Sequence, residues 1–320
     1  MTKPVRVALA GEALIDLIAS QNGKLTPCLG GAVYNLARAL SRQGIGSIYL
    51  NPLSSDRFGR QLAHQLLEDG VYLAQPTPTQ EVTSLAVVNL TDKGHPDYAF
   101  YREGVADRAI TSDFLVNACR DISSLEIVCT GALALDPRDK RHYLPWLKSQ
   151  KDAGHWVVVD ANLRPSVMPD MTTYRDNIHE ALLLADIIKV SDEDLAHLQI
   201  PGNTPLECAQ HLLQVSHAKL IALTLGANGA WLLTTAGTAC FGQETVELNI
   251  ADTIGAGDSF LAGLLAALLY QKFDIADAPA AQQLLRHAIA SASLCVQEHG
   301  CVPPSWDQAQ AWAAQHPIIF

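Results

Sequence analysis

Short apolar runs alternate with helical patterns over most of this 320-residue chain, and no other feature constrains the fold as tightly. The runs at residues 5–10, 47–51, 85–90, 127–130, 156–160, 187–190, 220–224 and 230–234 read as strands. Several are apolar on both faces, as parallel strands covered by helices on either side must be. Between them lie amphipathic stretches such as 33–42, 59–68, 141–153, 174–184 and 205–215. This alternation predicts an α/β fold, a doubly wound and mostly parallel sheet flanked by helices. In that class ligands gather at the carboxyl ends of the strands.

Two stretches break the pattern. Residues 11–30 hold an extended run around Asp16 and then Gln21-Asn22-Gly23-Lys24, and Asn-Gly between extended runs is a hairpin signal. Residues 83–110 hold a second strand-like pair around Thr91-Asp92-Lys93-Gly94. Both read as parts of a small β-sheet projecting from the main body, with two ordinary surface hairpins as the alternative. The Pro/Thr-rich residues 75–79 read as a connector into the second of them.

Charge narrows the partners. With 22 Lys+Arg against 33 Asp+Glu the formal net charge is -11, a surface that repels nucleic-acid phosphates and anionic lipid. A small anion would need a local pocket of backbone N–H groups and a few basic side chains. Apolar residues make up 48% and charged residues 17%, which supplies a large core. The longest apolar run, residues 260–270, is about half of what a membrane-spanning helix needs. The apolar run at 7–10 is too short for the core of a signal peptide. The seven cysteines are odd in number, scattered and without a C-x-x-C pair. That usage predicts reduced thiols in a cytoplasmic protein. The histidines form no cluster with metal-ligand spacing, so a protein-held transition metal is not expected.

The segment Asp252-Thr253-Ile254-Gly255-Ala256-Gly257-Asp258-Ser259-Phe260 carries the most chemistry. Its glycines permit backbone angles closed to other residues and a close approach to a ligand. The N–H groups opening the helix that follows converge on one point, which suits an oxyanion or phosphate. Asp258 falls in the first turn, where a carboxylate could accept a proton from an attacking hydroxyl. From these residues alone, a plain tight turn with a dipole-complementing acid is an equal alternative. No G-x-x-x-x-G-K-[ST] occurs, which removes a P-loop. The turn Leu223-Thr224-Leu225-Gly226-Ala227-Asn228-Gly229-Ala230 reads first as a hairpin.

Taken together, the motifs resemble the ribokinase-type (PfkB) carbohydrate kinases, and the resemblance runs nearly end to end. Its C-terminal signature is Asp-Thr-x-Gly-Ala-Gly-Asp, here at 252–258, and its N-terminal counterpart is Gly30-Gly31-Ala32-Val33-Tyr34-Asn35-Leu36-Ala37. The resemblance implies a single domain over 1–320 with a ribokinase-like fold and a β lid from about 12–33 and 82–110. It implies Asp258 as the base, and Gly255, Ala256 and Gly257 as the anion hole for the γ-phosphoryl group. Asp16, Gly31 and Asn35 match positions that hold sugar hydroxyls, and Thr224, Gly226 and Gly229 match the nucleotide-binding turn. Asp252, Ile254 and Gly300 fall where relatives bind a monovalent cation such as K+.

Three further segments resemble bacterial fructokinases and 2-keto-3-deoxygluconate kinases: Gly11-Glu12-Ala13-Leu14-Ile15-Asp16, Phe100-Tyr101-Arg102 and Asp160-Ala161-Asn162-Leu163-Arg164-Pro165. They imply Arg102 on substrate oxygens and Arg164 against the polyphosphate, each with a surface ion pair as its alternative. Lys189-Val190-Ser191-Asp192-Glu193-Asp194 resembles the segment that lines the nucleotide through Lys189 and orders Mg2+ through water at Asp194. A helix-capping charge is the alternative for Asp194. Residues 165–168 lack the Leu-Trp pair common after this arginine in fructokinases, and aminoimidazole riboside kinases share much of the pattern. The expectation is therefore an ATP-dependent kinase of a primary sugar hydroxyl, fructose first, with another sugar or riboside as rival. A sugar- or nucleotide-sensing protein on the same fold is the non-enzyme alternative. Relatives also form homodimers through the lid.

Overall fold

The computed structural model describes residues 3–19, 23–90, 96–275 and 277–319. The chain opens with β1 (Val5–Leu9), β2 (Leu14–Ala19), β3 (Leu25–Gly30), α1 (Ala32–Arg42), β4 (Gly46–Tyr49), α2 (Arg57–Glu68) and β5 (Tyr72–Leu73). It continues through β6 (Ser84–Leu90), β7 (Pro96–Tyr101), α3 (Ser112–Arg120), β8 (Ile127–Gly131), α4 (Lys140–Asp152), β9 (Trp156–Asp160) and α5 (Met171–Leu184). Then come β10 (Ile187–Ser191), α6 (Asp192–Leu198), α7 (Pro205–Val215), β11 (Leu220–Thr224), β12 (Ala230–Thr234) and β13 (Ala239–Gly242). Three helices close it: α8 (Ala256–Tyr270), α9 (Ala278–Cys295) and α10 (Trp306–Gln315).

Among the described residues nine strands form the main sheet, in the order β13-β12-β11-β10-β9-β8-β1-β4-β5. Pairing is parallel from β5 to β11 and antiparallel across β11, β12 and β13. Alternate residues of each strand enter two different cores, as period-two side-chain geometry requires. Val7 and Leu9 face α1, α8 and α9, whereas Ala8, Val128 and Val159 face α3, α4 and α5. Helix α8 packs against both α1 and α9 and is buried nearly all round. Its uninterrupted apolar run is thus a central packing element, and no described helix is long and apolar enough to cross a membrane.

The sequence misses β5 and β13, which are too short to show a period. It also starts α2 and α5 late: each begins two or three residues earlier, behind an Asp cap, Asp56 and Asp170. The interruptions do form a second sheet, ordered β3-β2-β6-β7. Its pairs are β2–β3 antiparallel, β2–β6 parallel and β6–β7 antiparallel. Register places Asp16, Ala86 and Phe100 in one row across it. The expected turn at Thr91–Gly94 lies outside the described residues, as do Gln21 and Asn22 of the first.

Candidate active site

The carboxyl ends of β1, β9 and β10 converge below the second sheet. Glu12 follows β1, Asn162 and Arg164 follow β9, and Lys189 lies near the end of β10. With the turn before α8 these residues line a cavity of ≈ 280 Å³. The second sheet closes it from above through Leu14 and Asp16 of β2, Val88 of β6 and Phe100 of β7. The site therefore belongs to two structural units.

Asp258 sits on the floor, 7% exposed, in the first turn of α8. Gly255 supplies the N-cap at φ 78, and no side chain caps this helix. A β-carbon on Gly255 would lie 2.3 Å from Cys301 Sγ, so only glycine permits both the angle and the approach. Asn35, from α1, donates from Nδ2 to Asp258 Oδ2 at 2.9 Å. Burial pushes the Asp258 carboxyl up to about 7, helped by the Asp160 charge and opposed by Asn35, Lys189 and Arg164. Burial likewise raises Asp16 to about 6 against the pull of Arg164. Burial also raises Glu12 to about 7, so three carboxyls in one cavity are poised near neutrality.

The glycine pair before α1 has a steric reason. A β-carbon on Gly30 would lie 2.1 Å from Asp16 Oδ2, and one on Gly31, at φ 109, would lie 2.6 Å from the Glu12 carbonyl oxygen. Only bare backbone lets Asp16 reach the cavity and α1 begin against the β1–β2 corner.

A second cavity of ≈ 440 Å³ opens beside the first, and the two share Thr253 and Gly257. Thr224, Gly226 and Gly229 lie on one wall, with Val246, Leu248 and Ile250 among the apolar residues around it. The β11–β12 connection is the hairpin that its glycines suggest, tightened by a short 3-10 turn at Gly226–Asn228. A polar cavity and a largely apolar one thus meet at the glycine turn ahead of Asp258. Such a pair can hold a polyol on one side and an aromatic base on the other.

Several predicted residues fall elsewhere. Lys189 lines the Asp258 cavity and not the one around Gly226. Its Nζ lies 3.0 Å from Asp160 Oδ1, the register partner on β9, because a buried ammonium needs its counter-ion. Asp194 accepts from the Leu163 N–H and the Ser191 N–H, each at 2.8 Å, and completes the capping box of α6. These are the contacts of the capping alternative. Arg102 is 6% exposed and does not line the Asp258 cavity; Nη1 donates to the Leu133 carbonyl and Nη2 pairs with Asp107 at 3.4 Å. Asp252 accepts from the Ile254 N–H at 3.0 Å and the Gly300 N–H at 3.1 Å, which joins the three positions matched to a monovalent cation. Among the described residues no group of three or more His, Cys, Asp or Glu could hold a metal.

Sequence reasoning overlooked Glu12, Asn162 and Thr253 as cavity walls. Glu12 and Asn162 stood inside the quoted segments, but nothing local marks either as facing a ligand.

The sequence pattern described as pfkB family carbohydrate kinase matches residues 6–308. A fructokinase from Rhizobium leguminosarum bv. trifolii is 33% identical over 268 residues, which cover 82% of this chain and 79% of that protein. The crystal structure of a fructokinase with bound ATP from Xylella fastidiosa superposes with a TM-score of 0.84 at 25% identity, covering 98% of this chain and 99% of that one. Aminoimidazole riboside kinase from Salmonella enterica superposes with a TM-score of 0.81 at 23% identity, covering 96% and 99%. At that identity the second superposition speaks for the fold.

Proposed function

The chain belongs to the pfkB family of carbohydrate kinases, and from that premise we propose that it transfers the γ-phosphoryl group of ATP to a primary hydroxyl of fructose. The observation that carries this reading is the placement of Asp258, buried where a polar and an apolar cavity meet. The similarity to a fructokinase at 33% identity favours fructose among sugars.

The sugar lies in the ≈ 280 Å³ cavity with Asp16 on its hydroxyls. The base of ATP lies against Val246, Leu248 and Ile250, and its phosphates run toward Gly255, Ala256 and Gly257. The N-terminus of α8 then faces the transferring group, where aligned N–H dipoles stabilise negative charge. Asp258 takes the proton from the attacking hydroxyl, and Asn35 holds the carboxylate in line through its 2.9 Å hydrogen bond. Arg164 and Lys189, on the walls of the same cavity, offset charge on the phosphoryl oxygens. Lys189 and Arg164 also favour the ionised form of Asp258, which is the form a base needs. Magnesium is expected to travel with the nucleotide phosphates and water. Of the nearby carboxylates, Asp160 is paired with Lys189, and Asp194 and Asp252 accept backbone N–H groups.

A coupled ADP-release assay with fructose, other ketoses, aminoimidazole riboside and 2-keto-3-deoxygluconate tests the reading. Fructose is expected to give the highest kcat/KM. A riboside or keto acid preferred by tenfold would overturn the sugar assignment and leave the kinase; no ADP release with any of them would overturn both.

A further inference from the structure

Glu12 is 2% exposed, lines the Asp258 cavity, and uses only one of its two carboxylate oxygens. Oε1 accepts from the Ala32 N–H at 3.0 Å at the start of α1, which fixes the side chain in place. Oε2 is buried and has no hydrogen-bond partner in the protein. Arg102 attracts it electrostatically, but the two form no hydrogen bond; the Arg102 Nη groups are taken by Leu133 and Asp107. A buried acceptor left bare costs stability and needs a reason. The same cavity holds a second one, Asn35 Oδ1, whose amide nitrogen is engaged with Asp258. Two bare acceptors in one polar cavity ask for a ligand with several O–H donors, which a polyol supplies and a phosphate does not.

We propose that Glu12 reads the substrate, with Oε2 accepting a hydrogen bond from a sugar hydroxyl other than the one phosphorylated. Its place at the β1–β2 corner, joined to α1 through Ala32, sets that hydroxyl against a rigid part of the main body. Glu12 is then a specificity-determining residue, because an analogue lacking that hydroxyl leaves the buried oxygen unpaired. The inference rests on the sugar-kinase reading above.

The test pairs Glu12→Gln with a set of monodeoxy analogues of the sugar that the wild type turns over best. Glutamine keeps an oxygen for the Ala32 N–H and turns the other acceptor into a donor. Measured at about pH 8 or above, where a carboxyl raised to about 7 is ionised, its sugar KM is expected to rise about 10- to 100-fold with nucleotide KM and kcat little changed, as loss of a hydrogen bond to a buried charged group requires. One deoxy analogue that costs the wild type a similar factor should cost Glu12→Gln nothing further. Penalties that multiply for every analogue would overturn the proposal. So would a variant whose sugar and nucleotide KM rise together while its unfolding temperature falls, since Glu12 would then act only as a helix cap. If Glu12→Gln does not fold, Glu12→Asp keeps the charge and shortens the reach, and must show the same analogue-selective loss. A wild type that phosphorylates no sugar would instead strike the reading of the preceding subsection.

Discussion

A carboxyl held at about 7 is a better proton acceptor than one at its ordinary value, provided it is ionised when the substrate arrives. Burial of Asp258 supplies that basicity, and the Asn35 hydrogen bond keeps one oxygen oriented. Asp258→Asn is expected to fold, to bind nucleotide and to lose about 10²–10⁴ in kcat; a variant within tenfold of wild type would remove Asp258 as the base. Because the protonated carboxyl cannot accept, turnover should fall as pH drops through about 7, and this acid limb should vanish from the residual activity of the variant. Asp16 and Asn35 separate in a second measurement. Asp16→Ala should raise the sugar KM by a factor equivalent to about 1–3 kcal/mol and spare nucleotide affinity measured without sugar. Asn35→Ala should lower kcat as well, because it also releases Asp258. Equal effects on sugar and nucleotide would return both residues to a structural role.

Elements place these groups through backbone that leaves room for nothing else. The β3 end is the clearest case, since a β-carbon on Gly30 would fall 2.1 Å from Asp16 Oδ2. Gly30→Ala should therefore raise the sugar KM as Asp16→Ala does, and the double variant should be little worse than either single one. Multiplying effects in steady-state kinetics would show that Gly30 acts elsewhere. The start of α6 makes the opposite point. Asp194 is 4% exposed and accepts two backbone N–H groups, one from its own helix start and one from the segment after β9. Its removal in Asp194→Ala leaves both donors bare, at a cost of about 1–3 kcal/mol in denaturant unfolding. The Mg2+ concentration for half-maximal activity should not move if Asp194 only caps; a shift of tenfold or more would show the metal role.

At the scale of the whole molecule, the site exists only where the second sheet covers the first. Asp16 and Phe100 come from that sheet, and Asp258 and Arg164 come from the main body. A sugar that touches both gives the covered state contacts that an uncovered state lacks, which is the condition for a ligand-driven population shift. Closure would also exclude water that competes for the phosphoryl group. Amide hydrogen exchange in peptides spanning 12–33 and 82–110 should slow on adding the preferred sugar, more than with nucleotide alone. Unchanged exchange at saturating sugar, with turnover intact, would show that this sheet does not gate the site.

Much of this molecule is local in origin and so could be read from the chain. Strand and helix periods come from neighbouring side chains sharing a face, and they gave the doubly wound sheet and the second β unit before any contact was known. The glycine turn ahead of Asp258 was legible for the same reason, since a backbone angle belongs to the residue that adopts it; the Gly30-Gly31 pair stood out only through the resemblance to the family's N-terminal motif. What a polar side chain does is not local, because it depends on which partners remain after packing. Asn35 meets Asp258 across 223 positions, and Lys189 meets Asp160 because β9 and β10 pair in one register. Asp194 and Glu12 are both acids beside recognisable motifs. Packing alone commits the first to backbone donors on both oxygens and leaves the second with one oxygen bare.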